Sequence, residues 1–155
     1  MRLWRISAHG SFDGEGARRL GGRWNRAGTT VIYAAATLAL ATLEFLVHLD
    51  RGRATAAVFA HYADVPEDAA IDRVNEDRLP VGWRAYPAPD TLREIGTAWA
   101  VSVSSLLLSV PSAVLHVSPQ LVPAERTYLV NPAHADFARV RVRSVKVQLD
   151  ARMWR

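Results

Sequence analysis

The chain has 155 residues, half of them hydrophobic, with a formal net charge of +4 and no cysteine. That length and apolar content suffice for a buried core and exclude a disordered polymer. Without cysteine there is no disulfide framework, thiolate nucleophile or cysteine-based metal site.

The positive charge is nearly all arginine, with Lys146 the one lysine. Arginine's planar fork favours bidentate phosphate binding, although a coding bias towards arginine would give the same count. The start, Met1-Arg2-Leu3-Trp4-Arg5-Ile6-Ser7, has no long apolar core before a cleavage site. We therefore expect no signal peptide and a cytoplasmic location.

In chain order, Leu3 to Ser7 predicts a strand and Ser11 to Gly28 a glycine-rich loop ending in a turn. Thr30 to Ala35 predicts a second strand. Thr37 then suits the N-cap of a helix running to about Asp50-Arg51-Gly52, because its hydroxyl can accept from an early backbone amide. Ala54 to Ala63 reads as a core strand, Ile71 to Glu76 as a short helical turn, and Leu79 to Pro89 as turns. Asp90 reads as the N-cap of a helix through about Val101.

Leu106 to Val110 and Tyr128 to Val130 predict strands stopped by Pro111 and by Asn131-Pro132, and Arg139 to Leu149 a long alternating strand. No acidic or basic residue occurs from Ile95 to Ala124, but the serines and prolines of that stretch argue for a buried helix end and strand, not a membrane span. No internal repeat, linker or low-complexity tract divides the chain. The expected architecture is α+β, a single mixed α/β domain over residues 1–155 with several hairpin connections.

Chemistry concentrates in the first third. Gly21-Gly22-Arg23-Trp24-Asn25 is a turn in which glycines let a ligand approach the backbone. Arg23 there suits a pyrophosphate grip or a pair with Glu44, and equally an exposed loop cation. Glu44 has Leu40, Ala41, Val47 and His48 as its helical neighbours, so its carboxylate is not on an obviously solvated face.

Tyr33 closes a buried strand and reads as a pocket ring or a core tyrosine. Arg5 shares a strand face with Leu3 and Ser7, as an anion ligand or an edge-strand charge. Ser112 follows a buried strand, as a site residue or a turn cap. His134 reads as surface structure. The five histidines show no metal-ligand spacing, so no metal is expected. Arg139-Val140-Arg141-Val142-Arg143 fits a nucleic-acid contact or, as we favour, an amphipathic edge strand with protective charges.

Several of these signals recur together and in order: Leu3-Trp4-Arg5-Ile6, Gly14-x-Gly16-Ala17, Gly21-Gly22-Arg23-Trp24-Asn25, Gly28, Tyr33, Ala41-x-x-Glu44, Leu79-Pro80-x-Gly82-Trp83, Ile95-Gly96-x-x-Trp99, Val110-Pro111-Ser112-Ala113, Asn131-Pro132-x-His134 and Asp150-x-Arg152. Together they resemble the RES domain, essentially end to end. The resemblance implies an ADP-ribosyltransferase-like fold and the toxin of a bacterial type II toxin–antitoxin pair. Such a toxin takes NAD as substrate, by hydrolysis or phosphorolysis of the nicotinamide–ribose bond or by transferring ADP-ribose to a protein.

It also implies a cognate Xre-like helix-turn-helix antitoxin as partner, and is compatible with a homodimer. By position the family's name residues fall on Arg23, Glu44 and Ser112, with Arg5 and Tyr33 as further pocket residues. Arg5 and Arg23 would hold the phosphates, Tyr33 would stack on nicotinamide and orient it through its hydroxyl, Ser112 would bond a ribose or the nicotinamide amide, and Glu44 would act at the sugar. Two departures from the family's pattern stand out: Val114 to Gln120 looks like an insertion, and Thr127 stands where relatives commonly carry asparagine.

Overall fold

The computed structural model describes residues 1–8, 10–49, 58–116 and 125–154. The expected helix end at Asp50-Arg51-Gly52, residues 54–57 of the expected core strand, and residues 117–120 of the apparent insertion with 121–124 after it lie outside the described residues.

Seven strands form one mixed sheet: β1 (Arg2–Ser7), β2 (Ile32–Ala35), β3 (Val58–Asp64), β4 (Ile71–Arg73), β5 (Leu107–Val110), β6 (Thr127–Val130) and β7 (Arg141–Val147), in the order β4-β5-β6-β2-β1-β3-β7. Every neighbouring pair is antiparallel except β4 and β5, which run parallel. Three helices accompany the sheet: α1 (Glu15–Leu20), α2 (Leu38–His48) and α3 (Asp90–Ser102).

The expected α+β class is therefore observed, with local differences. The hairpin reading gives way to a sheet in which sequence neighbours are joined by long excursions. Ile71 to Glu76 is not helical: Ile71–Arg73 is β4, and a 3-10 turn follows at Glu76–Arg78. Three residues are too few to show a period of two, and parallel pairing of Ile71 with Leu107 through Arg73 with Ser109 makes them a strand. The glycine-rich loop contains α1, whose two flanking glycines and internal Gly16 mask a helical pattern.

Thr37 caps α2 as expected, its hydroxyl accepting from Leu40 N at 3.1 Å. Asp90 is the first residue of α3, with Pro89 in the cap position. Asp90 instead accepts from Arg93 at 2.7 Å.

Alternation along the strands separates the core. Leu3, Ile32, Ala34, Leu107, Tyr128 and Val130 pack in one cluster. Leu108, Val110 and Leu129 pack with Trp24, Val31, Leu92 and Trp99 in a second, and Ile6, Ala35, Val58 and Ala60 pack with Leu40 and Ala41 of α2 in a third. The second and third clusters thus place α3 and α2 over different stretches of the sheet.

The centre of the sheet is thin. β1 shares six register pairs with β3, from Arg2 opposite Asp64 to Ser7 opposite Phe59, but meets β2 through one, Trp4 opposite Ala35. Beyond that pair the two strands part.

Candidate active site

The site is built around this parting. Arg5, one residue past the shared pair, reaches to β2 and donates from Nη1 to the carbonyl of Tyr33 at 3.0 Å. Its Nε is buried without a hydrogen-bond partner. Burial pushes the guanidinium below its ordinary range, and Asp13 partly offsets this. A cation held so, with a buried donor to spare, suits an anionic ligand.

The Gly-Gly-Arg-Trp-Asn turn is fastened to the hydroxyl oxygen of Tyr33. Trp24 N donates to that oxygen at 2.9 Å, and the Tyr33 hydroxyl donates to Asn25 Oδ1 at 2.8 Å. A Cβ on Gly22 would lie 2.5 Å from the same oxygen, so the close approach requires glycine there. The hydroxyl expected to orient a ligand is spent on the turn, and burial pushes it well above the usual tyrosine range. What Tyr33 offers a ligand is its ring.

Arg23, half-buried, is clamped by the loop before α3. Nη1 donates to the carbonyl of Trp83 at 2.7 Å and Nη2 to that of Ala85 at 3.1 Å. Burial pulls the guanidinium below its ordinary range, and the nearby carboxylate of Glu44 is the main influence holding it up. Arg93 adds a second cation, donating to the carbonyl of Gly22 at 3.2 Å; its charge acts on both Arg23 and Tyr33.

Glu44 projects from α2, one turn beyond the buried Leu40 and Ala41. Its Oε1 accepts from Ser112 Oγ at 2.9 Å and, more weakly, from Thr127 Oγ1 at 3.3 Å. Ser112 is 3% exposed, and its oxygen accepts from Val114 N and Leu115 N at 3.2 and 3.1 Å. The serine's one proton therefore goes to the carboxylate and its lone pairs to the turn. A hydroxyl so engaged positions Glu44, and among the described residues no histidine hydrogen-bonds it as the base of a nucleophilic serine would.

Arg23, Tyr33, Glu44 and Ser112 are thus brought together by hydrogen bonds and mutual charge, and Arg5 joins them through the Tyr33 carbonyl. The sequence reading missed Arg93, Thr127 and the carbonyl clamp on Arg23. Only Thr127 left a trace, as a departure from the family's pattern. His134 is structural, as expected: its Nδ1 accepts from Asp136 N at 3.1 Å and caps a 3-10 turn. Among the described residues no group of three or more histidine and carboxylate side chains gathers as a metal site, and no helix is long and apolar enough to cross a membrane.

Comparison with known proteins identifies the family. The chain is 37% identical over 162 residues to the Prs ADP-ribosylating toxin of Sphingobium sp. (strain YBL2), covering 99% of this chain and 96% of that protein. It is 40% identical over 141 residues to Toxin Res of Yersinia enterocolitica, covering 88% of each.

The fold is similar to that in the crystal structure of the M. tuberculosis MbcT-MbcA toxin-antitoxin complex, with a TM-score of 0.74 at 21% identity over 95% of this chain and 84% of that one. The RES domain profile matches residues 2–152. The chain belongs to the RES domain family.

Proposed function

We propose that this protein is the toxin of a toxin–antitoxin pair and consumes NAD by cleaving the bond between nicotinamide and ribose. The observation that carries the proposal is the Glu44 carboxylate, held by two hydroxyls and within electrostatic reach of Arg23 and Tyr33.

Breaking that bond develops positive charge on the sugar, and a preorganised carboxylate stabilises it without having to reorganise. Arg23 and Arg5 supply charge-assisted donors for the two phosphates, and the buried, unpartnered Nε of Arg5 fits that use. The Tyr33 ring offers a flat apolar surface for nicotinamide. Ser112 acts through Glu44, not on the ligand directly, because its proton is already committed.

Water or phosphate would take up the released sugar. A protein acceptor is the second reading, favoured by the name of the Sphingobium relative, an ADP-ribosylating toxin. A cognate antitoxin is the expected partner, since a structural relative was crystallised in a toxin–antitoxin complex. We place it in the cytoplasm and assign the antitoxin to the Xre-like helix-turn-helix class.

The test is incubation of the purified protein with labelled NAD, with and without phosphate. Free ADP-ribose indicates hydrolysis, its phosphorylated form phosphorolysis, and label on protein the second reading. Intact NAD under all conditions, with the protein folded, would refute the proposal.

A further inference from the structure

Arg23 and Glu44 are held by separate segments, the loop after the Glu76–Arg78 turn and the turn that begins at Ser112. Those segments meet at His116. The Trp83 ring, whose backbone carbonyl holds Arg23, packs edge-on against the imidazole of His116, with centroids 5.6 Å apart and planes at 71°. His116 Nε2 also lies 2.9 Å from Glu76 Oε2. His116 closes the same short turn in which Ser112 Oγ receives the amides of Val114 and Leu115 and gives its proton to Glu44.

A connected path therefore runs Arg23–Trp83–His116–Leu115–Ser112–Glu44, in which His116 reaches Ser112 through the peptide link to Leu115 and its amide, and Glu76 braces it. Neither the Trp83 loop nor the Ser112 turn belongs to a helix or strand, so neither has a regular backbone ladder to fix it. Their mutual packing supplies what the ladder would.

We propose that His116 is a positioning residue that latches the Trp83 loop to the Ser112 turn, and so sets the spacing between the group that grips the phosphates and the group that acts at the sugar. The assignment of those two roles rests on the proposed function; the latch itself rests on the contacts. Productive geometry demands that both ends of the ligand be held at once, and a small displacement of either end slows the reaction. The latch therefore bears on affinity and on turnover together.

The test compares His116→Ala with His116→Phe, which keeps a ring for Trp83, and His116→Gln, which keeps a donor for Glu76. His116→Ala should raise KM for NAD and lower kcat, with kcat/KM falling about tenfold, the scale of one edge-to-face aromatic contact. Each conservative variant should recover part of the loss.

Hydrogen exchange at Trp83 N, bonded to the carbonyl of Pro80 at 3.0 Å, and at Leu115 N should quicken together in His116→Ala. A folded His116→Ala protein with wild-type KM and kcat would overturn the latch, whatever its melting temperature. If the wild-type protein consumes no NAD, the proposed function fails and the exchange arm alone decides: coupled quickening upholds the latch, and unchanged exchange at either amide rejects it.

Discussion

The backbone carbonyl of Trp24 lies in the space that a Cβ on Gly96 would occupy. A methyl group there would overlap it, and the carbonyl cannot swing aside as a flexible side chain could. The turn that carries Arg23 is thus seated directly on α3 at the one position without a side chain. Trp24, 1% exposed, is buried by that contact together with Leu92 and Trp99.

Gly96→Ala is accordingly expected to destabilise the fold, although alanine is the better helix former. Overpacking of this kind costs about 1–3 kcal/mol, which for a domain of this size lowers the melting temperature by roughly 2–12 °C. A thermal melt gives the answer. A rise in melting temperature would mean that helix propensity outweighs the clash.

Glu44→Gln should keep the fold and most of the ligand affinity while removing turnover, because the amide keeps the shape but lacks the negative charge. Loss of about 2.7–4 kcal/mol of transition-state stabilisation corresponds to roughly a hundred- to a thousandfold in rate. Ser112→Ala should be milder. It removes one hydrogen bond to a charged group, about 1.5–3 kcal/mol. Melting temperature and NAD turnover measured on the same preparations separate loss of chemistry from loss of fold.

Arg23→Lys should be nearly as harmful as Arg23→Ala. An ammonium keeps the charge, but as a point donor it cannot span the carbonyls of Trp83 and Ala85 while presenting a planar face to a ligand. Calorimetric titration with NAD should find binding about 10- to 100-fold weaker in both variants. Wild-type affinity in the lysine variant would show that charge alone suffices.

Tyr33 makes stability depend on alkaline pH. Its folded value is raised by burial above the unfolded value near 10, so the unfolded state loses the proton first as pH rises. The contribution is complete below about pH 10 and is lost progressively above it. Urea melts of wild type and Tyr33→Phe between pH 8 and pH 11 should find the wild type losing stability more steeply at the alkaline end. Parallel profiles would mean that the hydroxyl's burial carries no linkage.

Much of the site was legible because its parts lie in short, ordered motifs. Arg23, Asn25 and Gly22 fall within one turn, Tyr33 lies in the next strand, and the Thr37 cap announces the helix that carries Glu44. Ser112 follows a strand end marked by proline. Arg93 and Thr127 escaped because what assigns them is tertiary: Arg93 meets a carbonyl 71 residues away and Thr127 a carboxylate 83 residues away.

Several motif residues serve the fold, not the chemistry. Asn131 Nδ2 donates to the carbonyl of Ala100 at 2.9 Å, and Trp99 Nε1 to Ser105 Oγ at 2.8 Å, tying α3 to the sheet. In the sequence, such residues look the same as those that would touch a ligand. β4 and α1 were misread for a different reason, being three and six residues long, too short to display a period.

The single register pair between β1 and β2 also bears on mechanics. Arg5 stands on one side of the parting, and Arg23, in the turn leading to β2, on the other. On the proposed reading, a dinucleotide gripped by both would tie together two strands that, among the described residues, share the single register pair Trp4 and Ala35. The substrate would then act as a rivet across the sheet, stiffening the protein in the act of being bound. An empty toxin would be the more compliant form.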